Sequence, residues 1–253
     1  MIQLPTEVVK VTNHNPKELI VYGSPKVGKT GALAQLPNNL IIDLEKGSSQ
    51  VEALKLQANN FVELEEIGKT IMAKKQELGG KYPYDYVTID TITELESWCE
   101  PLATVLYKDS TIGRSFNGNS VLELPNGGGY FWLRKAYVSW LNRLKTLAPT
   151  VIFVAHLKDK LLTKSGKDVS AKDLDLTGKI KNITCKDTDA IGYIYRDPED
   201  SSKARISFTH KEELLCGSRC KHLIGQDFVI TETDDKGEIV KSHWDKIFID
   251  PVK

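Results

Sequence analysis

The sequence predicts an α/β fold, a mainly parallel sheet flanked by helices on both faces, and two observations carry that reading. Short apolar runs alternate with longer segments whose apolar residues recur at helical spacing. A glycine-rich octet stands between the first apolar run and the first helical segment, as a phosphate-binding loop requires. Five runs read as buried parallel strands, at residues 19–22, 40–44, 86–90, 151–155 and 190–195. Helices fit residues 28–35, 62–78, 94–106 and 130–147. The last of these carries Phe131, Ala136, Val138, Leu141, Leu144 and Leu147 at helical spacing, which reads as a core stripe.

Two segments interrupt the alternation. Residues 108–129 hold Gly113, Asn117, Gly118, Asn119, Pro125 and the triplet Gly127-Gly128-Gly129, and predict a long mobile loop. Residues 158–182 carry Lys158, Lys160, Lys164, Lys167, Lys172, Lys179 and Lys181 against only four aspartates, and predict a second, basic loop. Beyond them, residues 190–206 read as a hairpin turning at 197–200, and another hairpin turns at 234–237. The expected organisation is one domain over 1–253, with a core at 17–196 and a C-terminal hairpin extension at 197–253.

Composition narrows the partners. The 253 residues balance 34 Lys and Arg against 34 Asp and Glu, so any nucleic-acid surface must be local rather than a property of the whole chain. The N-terminus lacks a basic region followed by an apolar core, and the apolar runs are strand-sized; neither a secretion signal nor a membrane span is expected, and the predicted location is cytoplasmic. Four cysteines then read as reduced thiols. Cys216, Cys220 and His222, with Cys185 and His210, are conceivable zinc ligands, although their spacing is not one of the strong zinc patterns.

The octet Gly23-Ser24-Pro25-Lys26-Val27-Gly28-Lys29-Thr30, followed by Gly31, matches G-x-x-x-x-G-K-[ST] at every fixed position. Backbone amides must converge on phosphate oxygens there, and a side chain at the glycines would obstruct that approach. Lys29 is placed to meet the β- and γ-phosphates, and Thr30 to ligate Mg²⁺. ATP and Mg²⁺ are therefore the expected substrate and metal. The competing reading is an accidental glycine-rich turn.

A second acidic element decides more than the cradle does. Asp90 ends an apolar strand and suits Mg²⁺, held directly or through water; the competing reading is a cap on the helix that follows. The next residue is Thr91 rather than a glutamate, so the group that aligns water must lie elsewhere. Asp43 and Glu45, at the end of the second strand, share a face by the period of two. Glu45 is the favoured candidate. His156 ends the fourth strand and is placed to sense the γ-phosphate; a purely structural histidine is the alternative.

With these elements in order, the chain resembles the RecA-like branch of P-loop ATPases. More narrowly, it resembles compact phage-encoded nucleotide-binding proteins, a group that includes single-strand annealing recombinases. The matching residues are Gly23 to Thr30, Ile41-Ile42-Asp43-Leu44-Glu45, Val87-Thr88-Ile89-Asp90, Val154-Ala155-His156 and Asp175-Leu176-Thr177-Gly178-Lys179. The resemblance implies ATP hydrolysis with Glu45 activating water, assembly into a ring or filament, and single-stranded DNA held by two loops during phage recombination or replication. The loop counterparts are residues 108–129, with Arg114 and Phe116, and residues 158–182, with Lys158, Lys160, Lys164 and Lys167. Lysines neutralise phosphates and an aromatic can stack on bases, which agrees with that assignment. The resemblance also implies a cation supplied in trans, for which Arg219, with Lys221 beside it, is the candidate, and a bacterial host cytoplasm containing other replication or recombination proteins as partners. The chain departs from the larger recombinases in lacking an obvious extra N-terminal oligomerisation domain. Two other functions fit the same cradle: an ATP-dependent loader that docks on replication proteins without touching DNA, and a small-molecule kinase, which usually needs an arginine-bearing lid.

Overall fold

The apolar runs pair as their periodicity dictates. A computed structural model describes residues 4, 6–164 and 167–252. The elements are β1 (Glu18–Gly23), α1 (Lys29–Ala34), β2 (Asn39–Asp43), β3 (Leu54–Gln57), α2 (Phe61–Glu77), β4 (Tyr86–Asp90), α3 (Ile92–Lys108), α4 (Gly129–Leu144), β5 (Thr150–Lys164), β6 (Lys167–Leu174), α5 (Gly178–Asp187), β7 (Ala190–Arg196), β8 (Lys203–Ser207), β9 (Gly217–Ser218), β10 (Asp227–Thr233) and β11 (Ile239–Ser242). The sheet runs β11-β10-β8-β7-β1-β5-β4-β2-β3. From β3 to β7 every pairing is parallel; from β7 to β11 every pairing is antiparallel. This is the expected α/β, RecA-like arrangement, a mostly parallel core extended by C-terminal antiparallel strands. The two C-terminal hairpins turn where the Asp- and Gly-rich tetrapeptides place them, and they continue the same sheet.

Helices lie on both sheet faces as expected, but unequally. Along β1, Ile20 and Tyr22 face a cluster with Leu95, Cys99, Leu133, Tyr137 and Ile180, so α2 to α5 all lie on that side. Leu19 and Val21 face the other way, onto Val27, Leu33, Trp244 and Ile247. There the short α1 shares the work with the C-terminal segment. The indole Nε1 of Trp244 donates to the Ala32 carbonyl at 2.7 Å, a bond between residues 212 apart in sequence.

Three expectations change. Neither basic nor glycine-rich segment is a featureless loop. β5 continues past His156 and turns back as β6, an antiparallel ribbon in which Leu157 opposes Leu174 and Lys164 opposes Lys167. Residues 108–129 fold into short 3₁₀ turns at Val121–Glu123 and Pro125–Gly127, the first closed by a reciprocal cap between Ser120 and Glu123 and pinned by the fully buried Val121. Phe131 is 53% exposed, so the buried stripe of α4 is Leu133, Ala136, Tyr137, Trp140, Leu141 and Leu144. The edge strand β3 has no counterpart in the sequence reading.

Candidate nucleotide site

Strand β1 ends at Gly23 and the chain turns through residues 24–28 into α1. A Cβ on Gly23 would stand 2.3 Å from the Ile194 carbonyl oxygen, so only glycine lets β1 lie this close to β7. Gly28 has φ +101°, a backbone conformation that side chains disfavour, and caps α1. Lys29 follows and is buried. Its ammonium donates to the carbonyls of Gly23 and Ser24, 3.0 Å each, folding back over its own loop. Burial pulls its pKa below the usual lysine value, opposed by the charges of Asp90 and Glu45. Ser24, Pro25 and Lys26 form the outer arc of the loop, with Lys26 at φ 63°, and Val27 anchors it in the core. Gly31 opens onto Ile239 of β11 at ordinary contact distance.

The hydroxyl of Thr30 donates to Asp90 Oδ2 at 2.7 Å across the sheet rim. Asp90 is buried, and that burial, reinforced by Glu45 and Asp43, holds its carboxyl above the ordinary carboxylate range despite the Thr30 hydrogen bond and the charge of Lys29. Asp90 is not the cap of α3. Thr91 takes that position, accepting from the Glu94 amide at 3.2 Å. The Asp90 carboxylate is thereby left to the rim. A hydroxyl and a carboxylate side by side, next to a buried ammonium and an amide-lined loop, are the donor set a magnesium triphosphate needs, so the residues fit that group.

Asp43 and Glu45 part company. Asp43 is buried and accepts from the hydroxyl and amide of Ser48 at 2.6 and 2.8 Å and from the Glu45 amide at 2.9 Å. Burial would raise its pKa, but these hydrogen bonds outweigh it and hold the carboxyl below the usual range. Asp43 closes the turn; Glu45 is carried out onto the rim. There Glu45 Oε1 meets His156 Nε2 at 2.7 Å and accepts from the Thr91 hydroxyl. His156 itself is fixed through its backbone amide, which donates to Thr93 Oγ1 at 3.1 Å. The structure therefore brings Lys29, Thr30, Asp90, Glu45 and His156 to one rim, and adds Thr91 and Thr93. A hydroxyl one or three residues past an apolar strand gives no sequence signal beyond its helix-capping propensity.

Other candidates fall elsewhere. Arg219 lies beside Asp189, at the opposite end of β7 from the phosphate loop; it donates to the Lys186 carbonyl and sits 3.9 Å from Asp189 Oδ1. It is not brought to the cradle. Cys216 Sγ donates to the Thr209 carbonyl and His222 Nε2 to that of Ile247, and among the described residues no group of three or more His, Cys, Asp or Glu side chains is arranged to hold a metal. Arg114 is exposed, but Phe116 is packed edge-on against Tyr107 with Lys108 over its ring. Lys158 pairs with Asp175 at 3.2 Å and Lys160 is exposed on the ribbon; the side chains of Lys164 and Lys167 lie outside the described residues. No helix among the described residues is long and apolar enough to cross a membrane.

A surface the sequence reading missed opens between α4 and α5. Both helices start on the nucleotide rim, because each leads back to the beginning of a parallel strand. Between their first turns lies a cleft of about 440 Å³ lined by Tyr130, Phe131, Arg134, Thr177, Gly178 and Lys179. Glu96 of α3 holds the start of α5, both carboxylate oxygens accepting from the Thr177 amide at 3.0 and 3.2 Å.

The fold and the loop define a P-loop nucleoside triphosphatase, with one strand, β5, between the phosphate-loop strand and the strand of Asp90. The chain belongs to the AAA domain family, whose profile matches residues 15–220. Among solved structures, the RadB recombinase superposes with a TM-score of 0.45 at 13% identity, covering 88% of this chain and 90% of that one. No curated protein matches the sequence.

Proposed function

We propose that this chain binds and hydrolyses ATP with Mg²⁺ and uses the cycle to engage single-stranded DNA as part of a self-assembly, in phage recombination, annealing or replication. The observation that carries the hydrolytic part is the clustering of Lys29, the Thr30–Asp90 pair and the Glu45–His156–Thr91 group on one rim. Thr30 and Asp90 would hold Mg²⁺, which neutralises phosphate charge when bound. Lys29 exchanges the loop carbonyls for phosphate oxygens. Both contacts on Glu45 fall on Oε1, leaving Oε2 to orient a water and accept its proton.

The DNA part is supported by the α4–α5 cleft, where two half-exposed aromatic rings stand beside Arg134 and Lys179. Rings stack on bases of any sequence and the cations meet the backbone. Helix α3 joins the two regions: Thr91 holds Glu45, Thr93 holds the His156 amide and, one turn on, Glu96 holds the start of α5. A γ-phosphate that draws Glu45 or His156 away from this helix would shift the cleft. The test is ATP turnover with and without an unstructured oligonucleotide, together with particle size. Turnover that depends on Lys29 and rises with oligonucleotide supports the reading; no turnover in either condition overturns it.

A further inference from the structure

We infer that Arg196 is a second phosphate contact, supplied by the chain's own β7, that grips the α-phosphate end of the nucleotide. The guanidinium stands over the phosphate loop: a Cβ built on Gly28 would lie 3.1 Å from Arg196 Nη2 and 3.9 Å from Cζ. Two facts of the fold put it there. β7 lies directly beside β1 in parallel register, Tyr22 opposite Tyr193, so the end of β7 reaches the loop that follows β1. Along β7, Gly192, Ile194 and Arg196 share the face of α1 by the period of two, and Ile194 is packed in the cluster that holds Val27 and Leu33.

Its charge is uncommitted. Three nearby carboxylates go to other cations: Asp197 and, on β10, Asp227 to Arg205, and Asp200 to Lys203. Among the described residues Arg196 has no carboxylate partner, and its one hydrogen bond is a long 3.5 Å contact to the Ser201 carbonyl. An exposed guanidinium held against a loop that already presents Lys26 and Lys29 is a like-charge grouping, and an anion relieves it.

Strand order decides which end of the nucleotide it meets. Glu45, Asp90 and His156 stand on or just after β2, β4 and β5, all on one side of β1, where the γ-phosphate must be cleaved. β7 lies on the other side. Arg196 therefore faces the end that ADP and ATP share, which distinguishes it from a cation acting on the transferred phosphoryl group.

This inference rests on the nucleotide reading above, and its test separates the two. Mg-ADP and Mg-ATP binding is titrated for the wild type, Lys29→Ala, Arg196→Ala, Arg196→Lys and Arg196→Gln, the last keeping a planar amide on Gly28 should the alanine variant fold poorly. Loss of one charge-assisted contact is expected to weaken ADP and ATP alike, roughly tenfold, with lysine restoring part and glutamine little. In turnover, KM should rise by more than kcat falls. Arg196 variants that bind ADP within twofold of the wild type, or that lose only kcat, overturn the inference while leaving the nucleotide site standing. A wild type that binds neither nucleotide overturns both.

Discussion

At the nucleotide rim the side chains are wired to one another: Lys29 to the loop carbonyls, Thr30 to Asp90, and Thr91 and His156 to Glu45. In the α4–α5 cleft on the same edge of the sheet, Tyr130 and Phe131 stand 49% and 53% exposed, with Arg134 and Lys179 in the same lining. The contrast matches the two ligands proposed for these regions. A triphosphate presents the same set of charges every time, so the groups that meet it can be gathered on one rim beforehand. A polymer of varying sequence asks instead for flat rings and mobile cations.

Breaking the rim should produce the larger effects. Lys29→Ala removes the buried cation at the phosphates, and ATP turnover is expected to fall by about a thousandfold or more, measured as phosphate release. Glu45→Gln keeps the Oε1 acceptor but removes the base; kcat should fall on the order of a hundredfold with nucleotide affinity retained, which separates chemistry from binding. In the cleft, the double change Tyr130→Ala and Phe131→Ala should weaken an unstructured oligonucleotide roughly ten- to a hundredfold in anisotropy titrations with ADP affinity unaffected. Arg134→Gln should instead lower the slope of log affinity against log salt by about one. Val121→Ala, which empties the anchor of residues 108–129, should cost about 2 kcal/mol in denaturant unfolding.

The smallest effect concerns pH. Because the Asp90 carboxyl is held above its ordinary range in the folded chain, its ionised form is less favourable folded than unfolded. The stability tied to its protonated form is present below the ordinary carboxylate pKa and is lost as pH rises through the raised folded value. Asp90→Asn removes that loss. Without nucleotide it should melt above the wild type at pH 7, with the gap closing toward pH 4, while Mg²⁺-dependent stabilisation by ATP disappears.

The parallel core was legible because its strands are continuous apolar runs, and the phosphate loop because its glycines and lysine are fixed in spacing. Residues 54–57 carry only the alternation Leu54-Lys55-Leu56-Gln57, with both leucines about half exposed at the sheet edge, too short a pattern to read. Residues 158–161 of the β5–β6 ribbon are exposed, so its alternating lysines resemble a solvated loop. Glycine misled at residues 108–129: a Cβ on Gly129 would stand 2.0 Å from the Val121 carbonyl oxygen, so that glycine marks tight packing rather than freedom. Phe131 fell into the apolar stripe of α4 because helical spacing alone does not say where a helix emerges from the core. Thr91, Thr93 and Arg196 matter through strand order, which no local pattern encodes.

The bond from Trp244 to Ala32 makes one of the four tryptophans an optical gauge of the phosphate loop. Trp98, Trp132 and Trp140 pack with the other face of the sheet, so replacing them with phenylalanine isolates the one indole bonded to α1. Filling of the cradle would then be visible in the protein's own fluorescence, with no label attached.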